Sequence, residues 1–188
     1  MDASRRKSIR EKYFATIFIA TIAILPFCFV NAAYAADGSS SSPWEISNCT
    51  DFQNIGTGGF APEDYYVVTT NFSCSSITNF TPILITGGFK GNFNGQGHTI
   101  SDITITNPAE EYVGPFSWIY ENAIVKNINF TNVTISSDIS YVGGLAGYNE
   151  GTIENSSTAR VIHNTAYTGG ITGYNIGDVT DSHSSVDI

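Results

Sequence analysis

The chain has 188 residues, 41% of them hydrophobic and 13% aromatic, and a formal net charge of -9. Five of its eight basic residues (Arg5, Arg6, Lys7, Arg10 and Lys12) lie near the start, so from residue 36 onward Lys90, Lys126 and Arg160 face fifteen acidic residues, a net charge of -12. A surface this acidic repels phosphate backbones and anionic bilayers, which excludes nucleic acid and phospholipid as partners and favours neutral or cationic ones.

The basic start leads into an apolar run from Phe14 to Val30 and the small-residue site Ala33-Tyr34-Ala35. That order predicts a secretory signal peptide over residues 1–35, cleaved before Ala36, and a secreted or cell-surface location with no bilayer contact after cleavage. The alternative is an uncleaved anchor, since the apolar run is nearly long enough to span; Pro26 and the cleavage site weigh against it.

Residues 36–42, Ala-Asp-Gly-Ser-Ser-Ser-Ser, have little to bury and are expected to form a flexible linker. Residues 43–88 are expected to form an N-terminal cap on a repeat region that begins at Phe89. In them, Thr50 and Gln53 have capping-box spacing, which predicts a short helix from Thr50 to Ile55. Two β-branched, aromatic-rich runs, Tyr65 to Thr70 and Pro82 to Ile85, predict strands. Cys49 and Cys74 are the only cysteines after the leader; in an exported chain they are expected to form one disulfide, the alternative being two free thiols.

From Phe89 to Ile188 the text is periodic. Tyr141-Val142-Gly143-Gly144-Leu145-Ala146-Gly147-Tyr148-Asn149 returns 26 residues later as Tyr167-Thr168-Gly169-Gly170-Ile171-Thr172-Gly173-Tyr174-Asn175. Val113-Gly114 precedes Val142-Gly143 by 29 residues, and Asn127 precedes Asn155 by 28. Short strands, a period in the twenties, recurring glycines and hardly any helix signal predict an all-β chain, a parallel β-solenoid of about four coils whose one-residue slips fall at turns. At aligned positions Phe116, Leu145 and Ile171 are expected to stack inside, while Gly114, Gly143 and Gly169 mark where a coil bends or backbones approach. Tyr112, Tyr141 and Tyr167 are expected to form an aromatic ladder, and Asn127, Asn155 and Asp181 a polar one. The last coil carries no cap signal, so the repeats are expected to be truncated at the C-terminal end and to self-associate there.

Residues 142–155, Val-Gly-Gly-Leu-Ala-Gly-Tyr-Asn-Glu-Gly-Thr-Ile-Glu-Asn, resemble the GLUG repeat of bacterial secreted and surface proteins, and Thr168 to Asp181 resembles a second, divergent copy. Phe89 to Ile100, and Cys49 to Ile55 with Ser73-Cys74, resemble the segments that precede such repeats. The resemblance implies a right-handed parallel β-helix, as in large adhesin-like proteins and the N-terminal regions of some surface metallopeptidases. It implies no activity. The chain departs from the pattern at Pro115-Phe116, where Gly144-Leu145 would align.

Chemistry-bearing motifs are scarce. His98, His163 and His183 lie far apart and no His-Glu-x-x-His occurs, so the sequence offers no zinc-peptidase motif, and no catalytic residue, metal ligand set or cofactor is assigned. The chain is read as a binding or structural module, adhesin-like and not an enzyme, with a surface ligand such as a glycan or a host protein. The competing class is a polysaccharide lyase or glycoside hydrolase on the same scaffold, which would need facing carboxylates such as Asp138 with Glu110 or Glu111. Asn92, Asn94 and Asp102 are oxygen donors that suit calcium, against which stands an ordinary Asn-Gly turn. The tyrosine ladder is a candidate for stacking on a sugar, against a purely structural stack. Six Asn-x-Ser/Thr sequons, at Asn48, Asn71, Asn79, Asn129, Asn132 and Asn155, are attributed to composition.

Overall fold

Triplets of alternating apolar and polar residues separated by Asn, Asp and Gly are too short to form a sheet within themselves, so each must pair with its copy on the next turn. In the computed structural model they do. It describes residues 35–83, 87–106, 108, 110–138, 141–159, 162–164 and 167–185, so all of the expected leader but Ala35 lies outside the described residues.

The chain opens with β1 (Trp44–Ile46), α1 (Cys49–Gln53), β2 (Tyr65–Val68) and β3 (Phe72–Ser73). A first coil comes next: β4 (Asn92–Asn94), β5 (Thr99–Ser101), β6 (Thr104–Thr106), β7 (Tyr112–Val113) and β8 (Phe116–Ile119). The second is β9 (Ile124–Lys126), β10 (Asn129–Thr131), β11 (Thr134–Ser137), β12 (Tyr141–Gly143) and β13 (Ala146–Asn149). The third is β14 (Thr152–Glu154), β15 (Ser157–Ala159), β16 (Ile162–Asn164), β17 (Tyr167–Gly169) and β18 (Thr172–Asn175), and β19 (Asp178–Thr180) and β20 (His183–Ser185) begin a fourth. Every strand pairs in parallel with its equivalent one coil away, giving sheets such as β1-β2-β4-β9-β14-β19 and β17-β12-β7. The fold is a parallel β-solenoid of about four turns, capped by a short helix.

Inward positions form columns. Phe93, Val125 and Ile153 lie on successive rungs of one sheet, each fully buried. Ile100 pairs with Phe130, and Ile105 with Ile135, on the next two. The N-terminal end is plugged by phenylalanines: the Phe52 ring of α1 lies 5.5–5.9 Å from those of Phe80, Phe93, Phe116 and Phe130. Burying each such side chain stabilises the fold by about 1.5–3 kcal/mol.

The corners explain the asparagines. Asn127, Asn155 and Asp181 follow equivalent strands with φ of 55°, 45° and 49°, a left-handed conformation that Asn and Asp tolerate better than other non-glycine residues. Asn155 Nδ2 donates to Asn127 Oδ1 at 2.8 Å, and Asn127 Nδ2 to Asn94 Oδ1 at 3.0 Å, so one side-chain amide on each rung holds the next.

Three expectations need correction. Residues 36–42 are not a free linker: the Asp37 and Gly38 amides both donate to Ser42 O at 3.1 Å, Gly38 O accepts from Tyr65 N, and Gly38 packs against Trp44 and Asp64. The helix begins one residue earlier than Thr50, because Asn48 is its N-cap, accepting from Asp51 N at 3.0 Å while Asp51 reaches back to Ser47 N. The box spacing is Asn48 to Asp51 instead of Thr50 to Gln53. Phe116 pairs with Ala146, not with Leu145, so the extra residue of the second coil is absorbed where Gly144-Leu145 replaces Pro115. Of the expected strand Pro82–Ile85, Ile83 makes a single parallel bridge to Phe116, and Leu84 and Ile85 lie outside the described residues.

An aromatic strip on a glycine arch

Between β12 and β13, and at the same place in the coils on either side, the chain doubles back so tightly that two strand backbones touch. A Cβ on Gly143 would collide with Ala146 O, and one on Gly169 with Thr172 O. At Gly114 it would lie 2.8 Å from Gly143 O and 2.9 Å from Gly147 N. From the opposite arm Gly147 faces the backbone of Tyr112 and Val113, and Gly173 that of Tyr141 and Val142. These glycines serve close approach rather than a left-handed turn. Gly114, Gly143 and Gly169 therefore set the thickness of an arch two backbones deep.

Because the arms touch, the side chains rising from both sides meet in one strip. Tyr112, Tyr141 and Tyr167 lie level on β7, β12 and β17, with ring centroids 5.5 and 5.0 Å apart. On the other arm Trp118, Tyr148 and Tyr174 are likewise in register, 5.4 and 5.2 Å apart. The two rows join through Tyr112 and Tyr148 at 4.9 Å and Tyr141 and Tyr174 at 5.3 Å. Tyr120 extends the strip, 5.5 Å from Trp118, with Lys90 Nζ 5.3 Å from its centroid on the ring face.

One carboxylate organises the middle of the strip. Glu150 accepts from the Tyr148 hydroxyl at 2.7 Å through Oε1 and from Trp118 Nε1 at 3.1 Å through Oε2. The Tyr148 phenol is pushed up to about 12, chiefly because its hydroxyl donates to Glu150. Burial, with the Glu111 charge next, holds the Tyr112 phenol above its usual value. Beside them a groove of about 390 Å³ runs across three coils, lined by Trp118, Tyr120, Glu121, Glu150 and Ile176. A second groove, of about 510 Å³, lies by Trp44, Glu45 and Phe60 near the first folded residues.

The tyrosine rows limit what can stack on them. Tyr141 has Tyr112 and Tyr167 on its two sides, and Trp118 has Tyr148 on one side and Gly88 against its ring on the other. Inner faces are thus occupied by neighbours, leaving edges and hydroxyls for a ligand. Tyr167 and Tyr174, on the last rung, are 65% and 44% exposed.

Elsewhere, Cys49 and Cys74 are disulfide-bonded with Cα atoms 5.1 Å apart. Phe116 and Leu145 are fully buried, and Ile171 packs partly buried against the same core. Leu145 N donates to Ile171 O, and Leu145 O accepts from Phe116 N. Asn94 and Asp102 are engaged in corners, Asn94 Oδ1 accepting from Gln96 N and Asn127 Nδ2, and Asp102 from Ser73, Ser101 and Asn132. Among the described residues no three His, Cys, Asp or Glu side chains gather as a metal ion would require. His98 Nδ1 lies 3.0 Å from Asn71 Oδ1 in a Gly-rich turn. A second ladder lies behind the strip: buried Asn149 donates to Asn175 Oδ1 at 2.7 Å. Its own Oδ1 has no partner, and the residue level with it one coil earlier is Ile119, which has no donor to offer.

Trp118, Tyr148, Tyr174 and Glu150 were not singled out by sequence reasoning. Tyr148 and Tyr174 carry the signal for it, being identical at the repeat spacing, but nothing in the spacing shows that the two arms touch.

Residues 138–159, which contain the arch, match the family model described as the GLUG motif. The arch of the second coil carries a GLUG motif. Halomucin from Haloquadratum walsbyi is 28% identical over 144 residues, 71% of this chain and 2% of that protein. A Gly-rich membrane protein from Evansella cellulosilytica is 26% identical over 172 residues, 80% of this chain and 19% of that protein. The chain thus spans a small part of the relatives it matches. Among solved structures, a Bacteroides ovatus protein described as an immunoglobulin A1 protease superposes with a TM-score of 0.52 at 16% identity, covering 79% of this chain and 58% of that one. That likeness is one of fold. Among the described residues no helix is long and apolar enough to cross a membrane.

Proposed function

We propose that the chain is an exported, surface-displayed β-helical module, adhesin-like, which holds a neutral or cationic surface ligand along the GLUG edge and catalyses nothing. The observation that carries this reading is the aromatic strip, a continuous row of ring edges and phenol hydroxyls beside a groove that crosses three coils. Support comes also from the leader-like start, the net charge of -12 beyond it, and relatives whose names are those of a mucin and a membrane protein. Of the two carboxylates lining the groove, Glu150 has both oxygens accepting from ring donors, an arrangement that holds those rings in place.

The test is to incubate the exported chain with arrayed glycans and extracellular-matrix proteins while assaying the same polymers for soluble products. Retention without product release, weakened by Tyr120→Ala, is the expected outcome. Release of oligosaccharides, abolished by Glu121→Gln or Glu150→Gln, would instead favour a carbohydrate-active enzyme.

A further inference from the structure

Two easily oxidised side chains, the Tyr148 phenol and the Trp118 indole, donate their protons to the two oxygens of one carboxylate, with their rings 5.4 Å apart. A phenol gives up an electron readily only if its proton leaves with it, and a carboxylate at hydrogen-bond distance is placed to take that proton in the same step. The bond to Glu150 also keeps the Tyr148 phenol protonated well above neutral pH, so oxidation cannot begin from the phenolate. From Tyr148 a chain of ring contacts leads outward: 4.9 Å to Tyr112, 5.5 Å to Tyr141 and 5.0 Å to Tyr167, or 5.2 Å to Tyr174. Steps of that size between stacked rings let an electron hole hop from ring to ring. The path reaches Tyr167 and Tyr174, the two most solvent-exposed tyrosines of the strip among the described residues.

We propose that Trp118, Tyr148 and Glu150 form a proton-coupled oxidation site whose hole migrates along the GLUG ladder to Tyr167 and Tyr174, making these the residues through which two chains are joined by a dityrosine bond under one-electron oxidation. The oxidant is an external one-electron acceptor. It takes an electron from Tyr148 as the phenol proton passes to Glu150. A neighbouring tyrosine then refills the hole, releasing its own phenol proton to water, and Tyr148 recovers its proton from Glu150. At Tyr167 or Tyr174 two such radicals, one on each chain, couple at their ortho carbons. The new carbon-carbon bond forms, each ring hydrogen shifts to the phenol oxygen, and the aromatic rings are restored. Two oxidant molecules have each gained one electron and two protons have left. This is a modification site independent of ligand binding, and it goes beyond the adhesin-like reading.

The experiment exposes the purified exported chain to a photogenerated ruthenium(III) polypyridyl complex with persulfate, measures dityrosine fluorescence and covalent dimer, and maps the joined peptides by mass spectrometry. Tyr65 is the internal control, 41% exposed but outside the strip. Coupling is expected at Tyr167 and Tyr174 in clear excess over Tyr65, and Tyr148→Phe, which keeps the ring and removes the phenol, should cut that excess by half or more. Glu150→Gln removes the positioned base, so coupling near pH 7 should fall by roughly tenfold and recover as pH rises toward about 10, where phenols ionise unaided. Coupling of Tyr65 at the same level as Tyr167 and Tyr174 would overturn the proposal, as would unchanged coupling in Tyr148→Phe. Should Tyr148→Phe fail to fold, the pH profile of Glu150→Gln decides alone, a flat profile identical to the parent's counting against the relay.

Discussion

At the N-terminal end of the solenoid the inward columns are closed by the Phe52 ring of α1, by Phe80 and by the Cys49–Cys74 bridge, and the residues beneath are fully buried. On the last described rungs exposure rises: Val179 continues Phe93, Val125 and Ile153 but is 37% exposed, and Ile176, beside the groove, is 62% exposed. Residue type barely changes along the column, so the difference comes from the neighbour. A coil of this kind buries its side chains only on the side where another rung covers them, and each position inherits its stability from the next turn.

The most direct way to break this comparison is to put one charge on two rungs of one column. Ile153→Asp should cost more than about 4 kcal/mol, because it leaves an unpaired carboxylate at a fully buried position between Val125 and Val179. Val179→Asp, one rung on, should cost about 1 kcal/mol or less, since its side chain can reach water. Urea midpoints for the two variants measure this. Equal shifts would mean that Val179 is covered in solution as Ile153 is.

A smaller effect sharpens the other side of the comparison. Replacing Cys49 and Cys74 together by Ser opens a loop whose ends are 25 residues apart, for an expected loss of about 3 kcal/mol on the chain-entropy account. Because the bridge ties α1 to the turn after β3, the loss should appear as early hydrogen exchange at Phe52 and Tyr66, while the amides of β12 and β13 keep their protection. Uniform loss of protection along all coils would show that the cap and the arch unfold as one unit.

Much of this was legible in the sequence, for a specific reason. A solenoid repeats its contacts at the spacing of its text, so Tyr112, Tyr141 and Tyr167, or Asn127 and Asn155, declare their neighbours by recurring. The disulfide was legible because two cysteines leave one pairing. Contacts between the two arms have no such signature. The meeting of Tyr112 with Tyr148, 36 residues along, depends on Gly143 and Gly147 letting two backbones touch, and periodicity records the glycines without saying what they face. The slip at Pro115 was hidden because a one-residue difference at a corner leaves the flanking pattern intact, so Phe116 aligned as well with Leu145 as with Ala146, its actual partner. The docked turn at residues 37–42 was hidden because its bonds are made by backbone, which composition does not show.

The smallest expected effect concerns the phenol at the middle of the strip. Tyr148 is held at about 12 by its bond to Glu150, against about 10 for an unfolded tyrosine. The folded chain therefore keeps this proton to a higher pH than the unfolded chain does. Unfolding between those values releases a proton, and rising pH favours it. The contribution of the bond is thus fully present below about pH 10 and is lost as pH climbs toward about 12. Tyr66 and Tyr112, also raised, titrate in the same alkaline direction, Tyr66 mainly through burial, so wild-type behaviour alone cannot isolate one group. Comparison with Tyr148→Phe can, since the variant keeps the ring and its contacts with Trp118, Tyr112 and Tyr174 but has no proton to lose. The difference in urea midpoint between the two proteins should be constant from pH 7 to about 9.5 and then shrink steadily as pH rises. Because Tyr148 is only half-buried, the change should be modest, and salt should not remove it, since it arises from a short hydrogen bond rather than a distant charge. A difference that stays constant through pH 11 would mean that Tyr148 does not hold its proton on Glu150, and would remove the central contact of the aromatic strip.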